Sequence, residues 1–448
     1  WWTLTGSHVT VQIGQCGNQL GEQFFSALGS EEHGSDPLWI SHPNFFREIS
    51  RRRDRKRSRC RAVLVDAEPR VVSEICQTSL APARSKSWLY PELDEAIVKS
   101  WNKVGSSGSA NNWAYGYKQQ GDAMGECVLE SVRKEVENCD CLDSFFFLQS
   151  LAGGTGSGLG SLCSELLRDE YPARFQLHAV VWPYSSGDVV VQAYNSTLSL
   201  SHLLDSSDGI LCLHNDEAHD ICSKLLGVPR PSLSHLNQVL ADQLASLFFP
   251  VRSRLAKTEP ERAIKMSELL SSLCSSPLHK LLSLRCLPHI PKRSLAFTKL
   301  RWEAVLNPLA QMQLTGWHMD EGLDWSMSPS SGSYNRAIAA MLLLRGEGWQ
   351  EAETKRFKDC LHAGWSERGD NLQVLGSPQQ FKGLERSSCI LANCQSQAKL
   401  LDKLLERTAA LRTARAFLHQ YERYGTSEED VDEAMAGLEQ VISDYHHL

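Results

Sequence analysis

The stretch AGGTGSG at residues 152–158 decides how this sequence folds. It comes after an apolar run, SFFFL at 144–148, and before a helical pattern at 159–167. Glycines let backbone N–H groups close around a phosphate because no Cβ atom stands in the way. The N-terminus of the following helix adds unsatisfied donors and a dipole that favours anions. The order of strand, glycine loop and helix therefore predicts a phosphate-binding loop rather than a flexible turn.

The loop matches neither of the two common phosphate-binding patterns. None of its glycines fits the G-x-G-x-x-G spacing, and the Gly-Lys pair of a Walker loop occurs nowhere in the chain. Without that lysine, dipoles and a metal ion would have to neutralise the phosphate charge. Thr155 and Ser157 can add hydroxyl donors. The candidate phosphate-binding residues of this loop are Ala152, Gly153, Gly154, Thr155, Gly156, Ser157 and Gly158.

A second loop, GQCGNQ at residues 14–19, follows an alternating pattern at 9–13 that predicts a half-buried strand. It offers amide side chains and two glycines at the mouth of the same sheet. Asp66 and Glu68 follow the next predicted strand and could hold Mg²⁺, which prefers carboxylates, waters and phosphate oxygens. Taken alone, these two residues would be ordinary surface acids at a strand end.

Strand and helix patterns alternate through the first half of the chain. This order predicts an α/β fold, with a Rossmann-type nucleotide-binding domain whose mainly parallel sheet binds ligands at the carboxyl ends of its strands. Leucines at helical spacing up to Pro250 predict a long central helix. A second, less regular α/β domain and C-terminal helices follow. The expected domains are residues 9–231, 232–250, 251–395 and 396–448.

Composition narrows the class of protein. A net charge of -7 over 448 residues gives no footprint for non-specific nucleic-acid binding. The 14 cysteines include no pair with two residues between them, which argues against zinc fingers and thioredoxin-type motifs. The longest apolar run, at 337–344, is too short to span a bilayer, and the N-terminus lacks a signal-peptide pattern. We expect a cytosolic protein with reduced thiols, no nucleic-acid partner and no membrane insertion.

Two further stretches carry predictions about the surface. The basic run RRRDRKRSR at 51–59 could bind polyanions or direct nuclear import, but a solvated loop is the interpretation we favour. Thr426 and Glu429 have the spacing of a capping box that would start the last helix. Seven apolar residues of that helix should pack on the body and leave an acidic outer face. They are Val431, Ala434, Met435, Leu438, Val441, Ile442 and Tyr445.

Motifs in order along the chain resemble the nucleotide loops of the tubulin family. They are the loops at 14–19 and 152–158, VDAEP at 65–69, NNWA at 111–114, NSTLS at 195–199, Asn215, Asn237 and AFLHQY at 416–421. The chain is therefore identified as a member of that family from about residue 9 onward. The resemblance implies a GTP-binding domain, a central helix, an intermediate domain and two C-terminal helices, which is the layout predicted above.

The resemblance also implies roles for individual residues. Asn215 and Asn237 would read guanine, since carboxamides can both donate and accept along the base edge. Asp188 would lie near the ribose, and Glu68 with Asp66 would support Mg²⁺. GTP or GDP would further contact Gln15, Cys16, Asn111, Ser150 and the loop at 152–158, mostly through the phosphates.

Three positions depart from the pattern of common tubulins. Ala152 stands where many members have a third glycine, and Gln192 occupies a position that is commonly acidic. Leu233 replaces an aromatic residue that stacks on the base, which removes about 1 kcal/mol of binding energy. These departures bear on nucleotide affinity rather than on the fold.

Three stretches look like the delta class within the family: WPYSSGD at 182–188, NWAYGY at 112–117 and LSHL at 200–203. The resemblance implies a structural constituent of centriole and basal-body triplet microtubules that acts in cilium assembly. The expected location is the cytoplasm and cytoskeleton, at the centrosome, centriole and ciliary basal body, with the nucleus as a further candidate. The expected partners are other tubulin subunits, through longitudinal contacts, and centriolar and microtubule-associated proteins. The alternatives are another minor class such as epsilon, a pseudo-GTPase, and, outside the family, a Rossmann-type dehydrogenase.

The glycine loop offers only hydroxyls and backbone amides, so a general base must come from elsewhere. Glu268, in KMSELL at 265–270 with Leu273 and Pro277 downstream, resembles an acid that reaches the nucleotide of the next subunit in a filament. In this interpretation Glu268 is catalytic in trans, and an isolated chain would hydrolyse GTP very slowly. An ordinary glutamate on a helix surface is an equally open alternative.

Overall fold

The computed structural model of the protein describes residues 6–29, 44–52, 55–80, 88–91, 94–95, 97–98, 101, 108–187, 189–255, 259–329, 334–361 and 371–448. The strands within them form two sheets. They are Ser7–Ile13 (β1), Phe46–Arg52 (β2), Arg55–Cys60 (β3), Ala62–Val65 (β4), Trp88–Leu89 (β5), Leu142–Ser150 (β6), Phe175–Trp182 (β7), Gly209–His214 (β8), Arg252–Ser253 (β9), Leu281–Leu287 (β10), Ala337–Gly346 (β11), Leu372–Ser377 (β12) and Arg386–Cys394 (β13).

Helices connect the strands and flank the larger sheet. Among the described residues, no helix combines the length and apolar character that a membrane span would require. The α-helices are Gly14–Leu28 (α1), Pro69–Leu80 (α2), Gly121–Glu137 (α3), Gly160–Glu170 (α4), Gln192–Ser206 (α5), Asn215–Asp220 (α6), Leu233–Phe248 (α7), Met266–Leu273 (α8), Trp302–Thr315 (α9), Ala398–Thr413 (α10), Leu418–Glu422 (α11) and Glu428–His446 (α12).

The larger sheet has the strand order β4-β1-β6-β7-β8-β10-β13-β11-β12-β9. Its first six strands are parallel, with Val11 of β1 opposite both Val63 and Phe147. β13 then runs antiparallel to β10 and β11. The expected α/β fold with a mainly parallel sheet is confirmed. The four expected domains stay a prediction, because the hydrogen-bonded sheet continues from β8 to β10 without a break.

Strand β1 is buried along its whole length, so the prediction of a half-buried strand was wrong. β4 and β6 flank it, and apolar side chains pack on its Val9 and Val11 face. The alternating polar residues are buried on the opposite face. There His8 Nδ1 lies 2.8 Å from the Ser144 hydroxyl, and the space above Gln12 is filled by α1. Central strands of a parallel sheet are covered on both faces, which is why polarity alternates without exposure.

Aromatic rings join α1 and α7 to the sheet. Phe24 of α1 lies 5.6 Å from Phe146 of β6 and 5.9 Å from Phe248 of α7, measured between ring centroids. All three side chains are buried, and edge-to-face pairs of this kind add about 0.5–1.5 kcal/mol beyond area burial. The predicted central helix is therefore confirmed as α7, and its packing fixes α1 above the strand ends.

The C-terminal helices are close to those expected, with one correction. The capping residue of α12 is Ser427 rather than Thr426. The Ser427 hydroxyl accepts from the Asp430 N–H at 3.2 Å, and the Asp430 carboxylate accepts from the Ser427 N–H at 2.6 Å. Thr426 is buried, and its N–H donates to the Tyr421 carbonyl. The predicted apolar stripe is confirmed, since Leu438 and its neighbours along the helix are buried or partly buried.

The basic run at 51–59 is not the solvated loop that we favoured. Its described residues 51–52 and 55–59 belong to the antiparallel strands β2 and β3, with Arg47 opposite Arg59 and Arg52 opposite Arg55. Strand pairing overrides a local composition that alone would indicate a loop, because each strand supplies backbone partners to the other. The side chains at 51–57 lie outside the described residues.

Candidate functional site

The segment expected as a loop after β1 is the first turn of α1, and it touches the glycine loop after β6 at the carboxyl ends of the two strands. Gly14 has a left-handed φ of +73°, and a Cβ atom there would lie 2.9 Å from the Gly156 nitrogen. The buried Asn18 donates from Nδ2 to the Gly14 carbonyl at 2.9 Å and to the Val65 carbonyl, at the end of β4, at 3.0 Å. The Asn18 carboxamide thus joins the ends of β1 and β4, and the contact between Gly14 and Gly156 adds the end of β6 to the same loop cluster.

Close backbone packing accounts for most of the glycines at 152–158. A Cβ atom on Gly154 would lie 2.7 Å from the Asn112 nitrogen, and one on Gly158 would lie 2.2 Å from the Trp113 carbonyl oxygen. Side chains at these positions would force the two loops apart. Gly153 differs, because a Cβ atom added there would have Asn111 Oδ1 as its nearest neighbour, at 3.9 Å. The loop is therefore held rigidly, with its first residues facing open space.

Two helices at the cluster begin with π-helical turns. Thr155–Leu159 leads into α4, and Tyr115–Gln120 leads into α3. The two turns meet through their backbones, since a Cβ atom on Gly116 would lie 2.3 Å from the Gly154 carbonyl oxygen. Single π turns are rare and occur often at functional sites. This pair marks the cluster as the strongest candidate site in the described part of the chain.

The loop hydroxyls already have protein partners. The Thr155 hydroxyl is hydrogen-bonded to the Ser109 hydroxyl, and the Ser157 hydroxyl donates to a carbonyl oxygen of its own loop. Both side chains are buried. The Ser150 hydroxyl accepts from the Ala152 N–H at 3.2 Å. Phosphate binding by these hydroxyls stays a prediction that requires them to change partners, whereas backbone N–H groups at the start of the loop need no such exchange.

Asn195 of α5 links the cluster to the C-terminal helices, and sequence reasoning gave it no role. Its Nδ2 donates to the carbonyls of Asn111 and Ala152, both at 2.8 Å. Its Oδ1 accepts from the Trp113 N–H at 2.9 Å and from the Tyr421 hydroxyl at 2.6 Å. The side chain is fully buried. Its place in the NSTLS motif at 195–199, which belongs to the family resemblance, was the signal that could have identified it.

Asn111 lies on a strained segment beside the glycine loop. It has a φ of +55°, and the preceding Ala110 has a φ of +48°. Residues other than glycine rarely adopt this region, and each costs of the order of 1–3 kcal/mol when the surroundings impose it. The Asn111 side chain is exposed and faces the open side of Gly153. It is thus placed where a ligand of the loop would meet it.

The two residues expected to read guanine occupy the starts of neighbouring helices. Asn215 is the first residue of α6, Asn237 lies near the start of α7, and the two helices are in contact. Neither carboxamide has a hydrogen-bond partner among the described residues. Asn237 lacks a partner although it is buried, with only 6% of its surface exposed. Leu233, which replaces the stacking aromatic residue, is 57% exposed at the first position of α7.

Gln15 and Cys16 form the first turn of α1, beside the glycine loop. Gln15 is exposed and Cys16 is half-buried. Burial raises the pKa of the Cys16 thiol to about 12, so it stays protonated at neutral pH. A thiol in that state can contact a nucleotide but cannot act as a nucleophile towards it.

The expected ribose residue, Asp188, lies outside the described residues. The segment just before it is fixed by Gln192, whose Nε2 donates to the Tyr184 carbonyl at 3.0 Å. A Cβ atom on Gly187 would lie 2.0 Å from Gln192 Oε1, so the amide is tucked under this turn. The replacement of an acid by Gln192 therefore has a structural use at this position.

Asp66 and Glu68, the expected ligands of Mg²⁺, differ in burial. Asp66 is 4% exposed, its Oδ2 has no hydrogen-bond partner, and burial raises the pKa of its carboxyl to about 7. The exposed Glu68 carboxylate lies against Gly108, whose Cβ would fall 2.3 Å from Oε1. No group of three metal-binding side chains occurs in the described ranges. Two carboxylates nevertheless fit Mg²⁺, which keeps several waters and shares phosphate oxygens.

Glu268 lies far from the loop cluster of its own chain. Its neighbour Ser267 donates to Asp143 at the amino end of β6, with a hydroxyl contact of 2.6 Å. Ser150 ends the same strand seven residues later, and about 3.3 Å per residue gives a separation of roughly 23 Å. Both Glu268 oxygens accept from Arg262 Nη1, at 3.0 and 2.8 Å. The expected acid is therefore exposed, paired within its own chain, and out of reach of its own glycine loop.

Comparison with known proteins agrees with this architecture. Residues 7–223 match the Tubulin/FtsZ family, GTPase domain. The chain is 37% identical to a tubulin delta chain of Macaca fascicularis and to one of Homo sapiens, over 99% of this chain and 100% of each relative. A tubulin delta chain of Mus musculus is 36% identical, over 99% of both chains.

Identity at this level along the whole chain leaves no room for the Rossmann-type dehydrogenase alternative. The expected family and the resemblance to the delta class are both confirmed. The roles of single residues in the loop cluster stay predictions. The chain belongs to the tubulin family, as a cytoskeletal protein of the tubulin class.

Proposed function

We propose that this chain binds GTP or GDP in the loop cluster and serves as a delta-type subunit of microtubules. The observation that carries the proposal is the meeting of three loops at the carboxyl ends of β1, β4 and β6, where parallel sheets bind nucleotides. The backbone N–H groups near Gly153, with Gln15 and Asn111 at the rim, hold the phosphates. The opening beside Gly153 supplies the space.

Asp66 and Glu68 would hold Mg²⁺ against the phosphates. When bound, the ion supplies the positive charge that the loop lacks because it has no lysine. The unpartnered Asp66 oxygen gains a partner in this arrangement, which removes the cost of a buried, unsatisfied carboxyl group.

Asn215 and Asn237 select the base. Guanine offers donors and an acceptor along one edge, and two free carboxamides can match that pattern while adenine leaves them unpaired. Asp188 would contact the ribose. Leu233 covers the base without stacking on it, so the chain binds nucleotide less tightly than members with an aromatic residue there.

Glu268 acts on the nucleotide of a neighbouring subunit. The separation along β6 makes an action within one chain impossible, so the carboxylate orients the attacking water only across a longitudinal contact with another tubulin. A pseudo-GTPase is the second candidate, because Arg262 already neutralises Glu268. If that ion pair persists in the assembly, nucleotide is bound but not hydrolysed.

The cellular role follows from the similarity to tubulin delta chains. We place the protein in centriole and basal-body triplet microtubules and in cilium assembly, with other tubulins and with centriolar and microtubule-associated proteins as partners. A tagged copy imaged in ciliated cells tests this role. Signal at centrioles and basal bodies is expected, and signal spread along all cytoplasmic microtubules would contradict it.

Guanine selectivity tests nucleotide binding directly. Competition of labelled GTP by unlabelled GTP and ATP should favour GTP strongly, and Asn237→Ala should weaken GTP binding by roughly 5–150-fold, the equivalent of about 1–3 kcal/mol. Gln238→Ala is the matched control, since that side chain bonds Asp242 on another face of α7 and should leave selectivity intact. Equal competition by ATP and GTP in the wild-type chain would refute base reading.

A further inference from the structure

A cavity lies along the face of α7 that carries His235, Gln238 and Asp242, and it takes no part in the proposed function. Its volume is about 750 Å³, within the range of sites that hold small molecules. α7 forms one wall, and the ends of β10, β11 and β13 form the floor. Residues from the π turn at 221–225 and from the segment after β10 close the sides.

Two cysteines face each other on the cavity floor. Cys286 of β10 and Cys389 of β13 are direct partners in the antiparallel register, and both line the cavity. Residues paired in this way have Cβ atoms about 4.5–5.5 Å apart, against about 3.5–4.5 Å in a disulfide. The Ser246 hydroxyl of α7 lies 3.7 Å from Cys286 Sγ. A small approach of the two strands would therefore join the sulfur atoms.

A buried cation lies beside this pair. Arg345 of β11 is 2% exposed and also lines the cavity. Its guanidinium donates only to carbonyls at the end of α7, those of Ser246, Phe249 and Pro250, at 2.9–3.1 Å. Its Nε has no partner, and no carboxylate of the described part of the chain forms an ion pair with it. Its charge interacts with the Glu261 carboxylate and with Cys389, and the interaction with Cys389 favours a thiolate on the floor.

The two thiols differ in their readiness to ionise. The hydrogen bond from Cys286, with smaller effects of Ser246 and Arg345, lowers the pKa of the Cys389 thiol against the opposing effect of burial. Burial raises the pKa of Cys286. Cys389 is thus the nucleophile of the pair and Cys286 its neighbouring thiol.

The charge of the cavity indicates what kind of molecule would reach the pair. Among the described residues, Lys292, Arg293, Arg345 and Lys382 line it, and the one lining carboxylate in this part of the chain is Asp242, which is paired with Lys382. The excess of positive charge suits an anion. An anionic disulfide of low molecular weight would bring two carboxylate-bearing halves and a bond that a thiolate can attack.

We propose that Cys286 and Cys389 are a redox-active dithiol that reacts with a small anionic disulfide of the oxidised glutathione class. The Cys389 thiolate attacks one sulfur of glutathione disulfide, forms a mixed disulfide and releases one glutathione thiolate. Cys286 then loses its proton and attacks Cys389 Sγ, which releases the second glutathione. The protein loses two electrons and two protons, and one disulfide is reduced to two thiols.

The resulting bond would be strained, because directly opposed strand positions hold the Cβ atoms slightly too far apart. Strained disulfides are the easily reduced ones, so the pair would return to thiols when reduced glutathione dominates. Two buried cysteines that act only as small apolar side chains would not show this chemistry.

Mass spectrometry of the folded chain tests the proposal. After treatment with oxidised glutathione and alkylation without reduction, we expect a peptide pair linked through Cys286 and Cys389. Their thiols should disappear roughly tenfold faster than those of the buried Cys163 and Cys212. The proposal would be overturned if treatment left Cys286 and Cys389 as available to alkylation as they are in untreated protein. A stable glutathione adduct on wild-type Cys389 without closure would also overturn it.

Two variants locate the chemistry. Cys286→Ser should stop the reaction at the mixed disulfide and leave glutathione attached to Cys389. Cys222→Ser removes another thiol of the same cavity and should form the Cys286–Cys389 link at the wild-type rate. A link that vanishes in Cys222→Ser, with folding intact by circular dichroism, would assign the reaction to Cys222 instead.

Discussion

The two ends of helix α7 differ in whether the polar groups near them already have partners within the chain. At its start, Asn237 and Asn215 of the contacting helix α6 have carboxamides without hydrogen-bond partners among the described residues, and Asp66 Oδ2, just after β4, also lacks a partner. Beyond its far end, Arg262 is held by paired backbone bonds to Val251 and neutralises Glu268. The start of the helix has groups ready for a ligand, whereas the far end has a candidate acid whose charge is already satisfied.

This difference separates binding from hydrolysis. A ligand can bind at the first end within one chain, because the ends of β1, β4 and β6 meet at one edge of the sheet and α6 contacts α7. The second end needs another molecule, since Glu268 is roughly 23 Å from its own glycine loop along β6. The geometry thus favours an isolated chain that binds GTP and retains it unhydrolysed.

Removing the candidate acid should have the largest effect. Glu268→Ala should lower GTP turnover in the assembled state by about 10²–10⁴-fold, because water loses the group that orients it, while GTP affinity stays unchanged. Glu259→Ala is the matched control, as Glu259 lines the same cleft as Glu268. Wild-type turnover in assembled Glu268→Ala would place the catalytic group elsewhere.

The binding end should fail when its central hydrogen-bond partner is removed. Asn195→Ala leaves two carbonyls, one N–H group and a tyrosine hydroxyl without their partner, which should cost about 1–3 kcal/mol of stability and weaken GTP binding. Denaturant unfolding with and without GTP measures both effects. Tyr421→Phe removes one of these bonds and should cost about 1 kcal/mol. A wild-type unfolding midpoint for Asn195→Ala would show that the loops hold themselves in place.

Breaking the ion pair at the far end should change stability least. Arg262 and Glu268 are both substantially exposed, and such pairs contribute about 0–1 kcal/mol. Arg262→Ala should therefore unfold at nearly the wild-type denaturant concentration. It should also equal or exceed the wild type in assembly-linked GTP turnover, because Glu268 becomes free. Lost turnover in this variant would show that Arg262 itself is needed in the assembly.

The loop cluster could be predicted from the sequence because its glycines mark the ends of the predicted strands. A glycine run that follows an apolar strand indicates a phosphate-binding loop, and the parallel order of the strands brings these loops to one edge of the sheet. The central helix could also be predicted, because leucines recur at helical spacing and Pro250 then ends the pattern. These features depend on neighbours in the chain.

Features that depend on residues distant in the chain could not be predicted from local sequence patterns. Asn195 acquires its role only when residues 111, 152 and 421 meet around it. The pairing of Arg262 with Glu268 depends on the bridge to Val251. The arginines of β3 pair with β2 because strand pairing is decided between segments. The cap of α12 shifts by one residue because Thr426 is buried.

One measurement on the isolated, dilute chain tests the separation of binding from hydrolysis most directly. The chain is loaded with radiolabelled GTP at a concentration where it is monomeric, and the bound nucleotide is identified over time. We predict one GTP per chain that stays GTP for the duration of the experiment. Bound GDP that accumulates at a rate independent of protein concentration would contradict the account, because one chain would then contain the whole catalytic site.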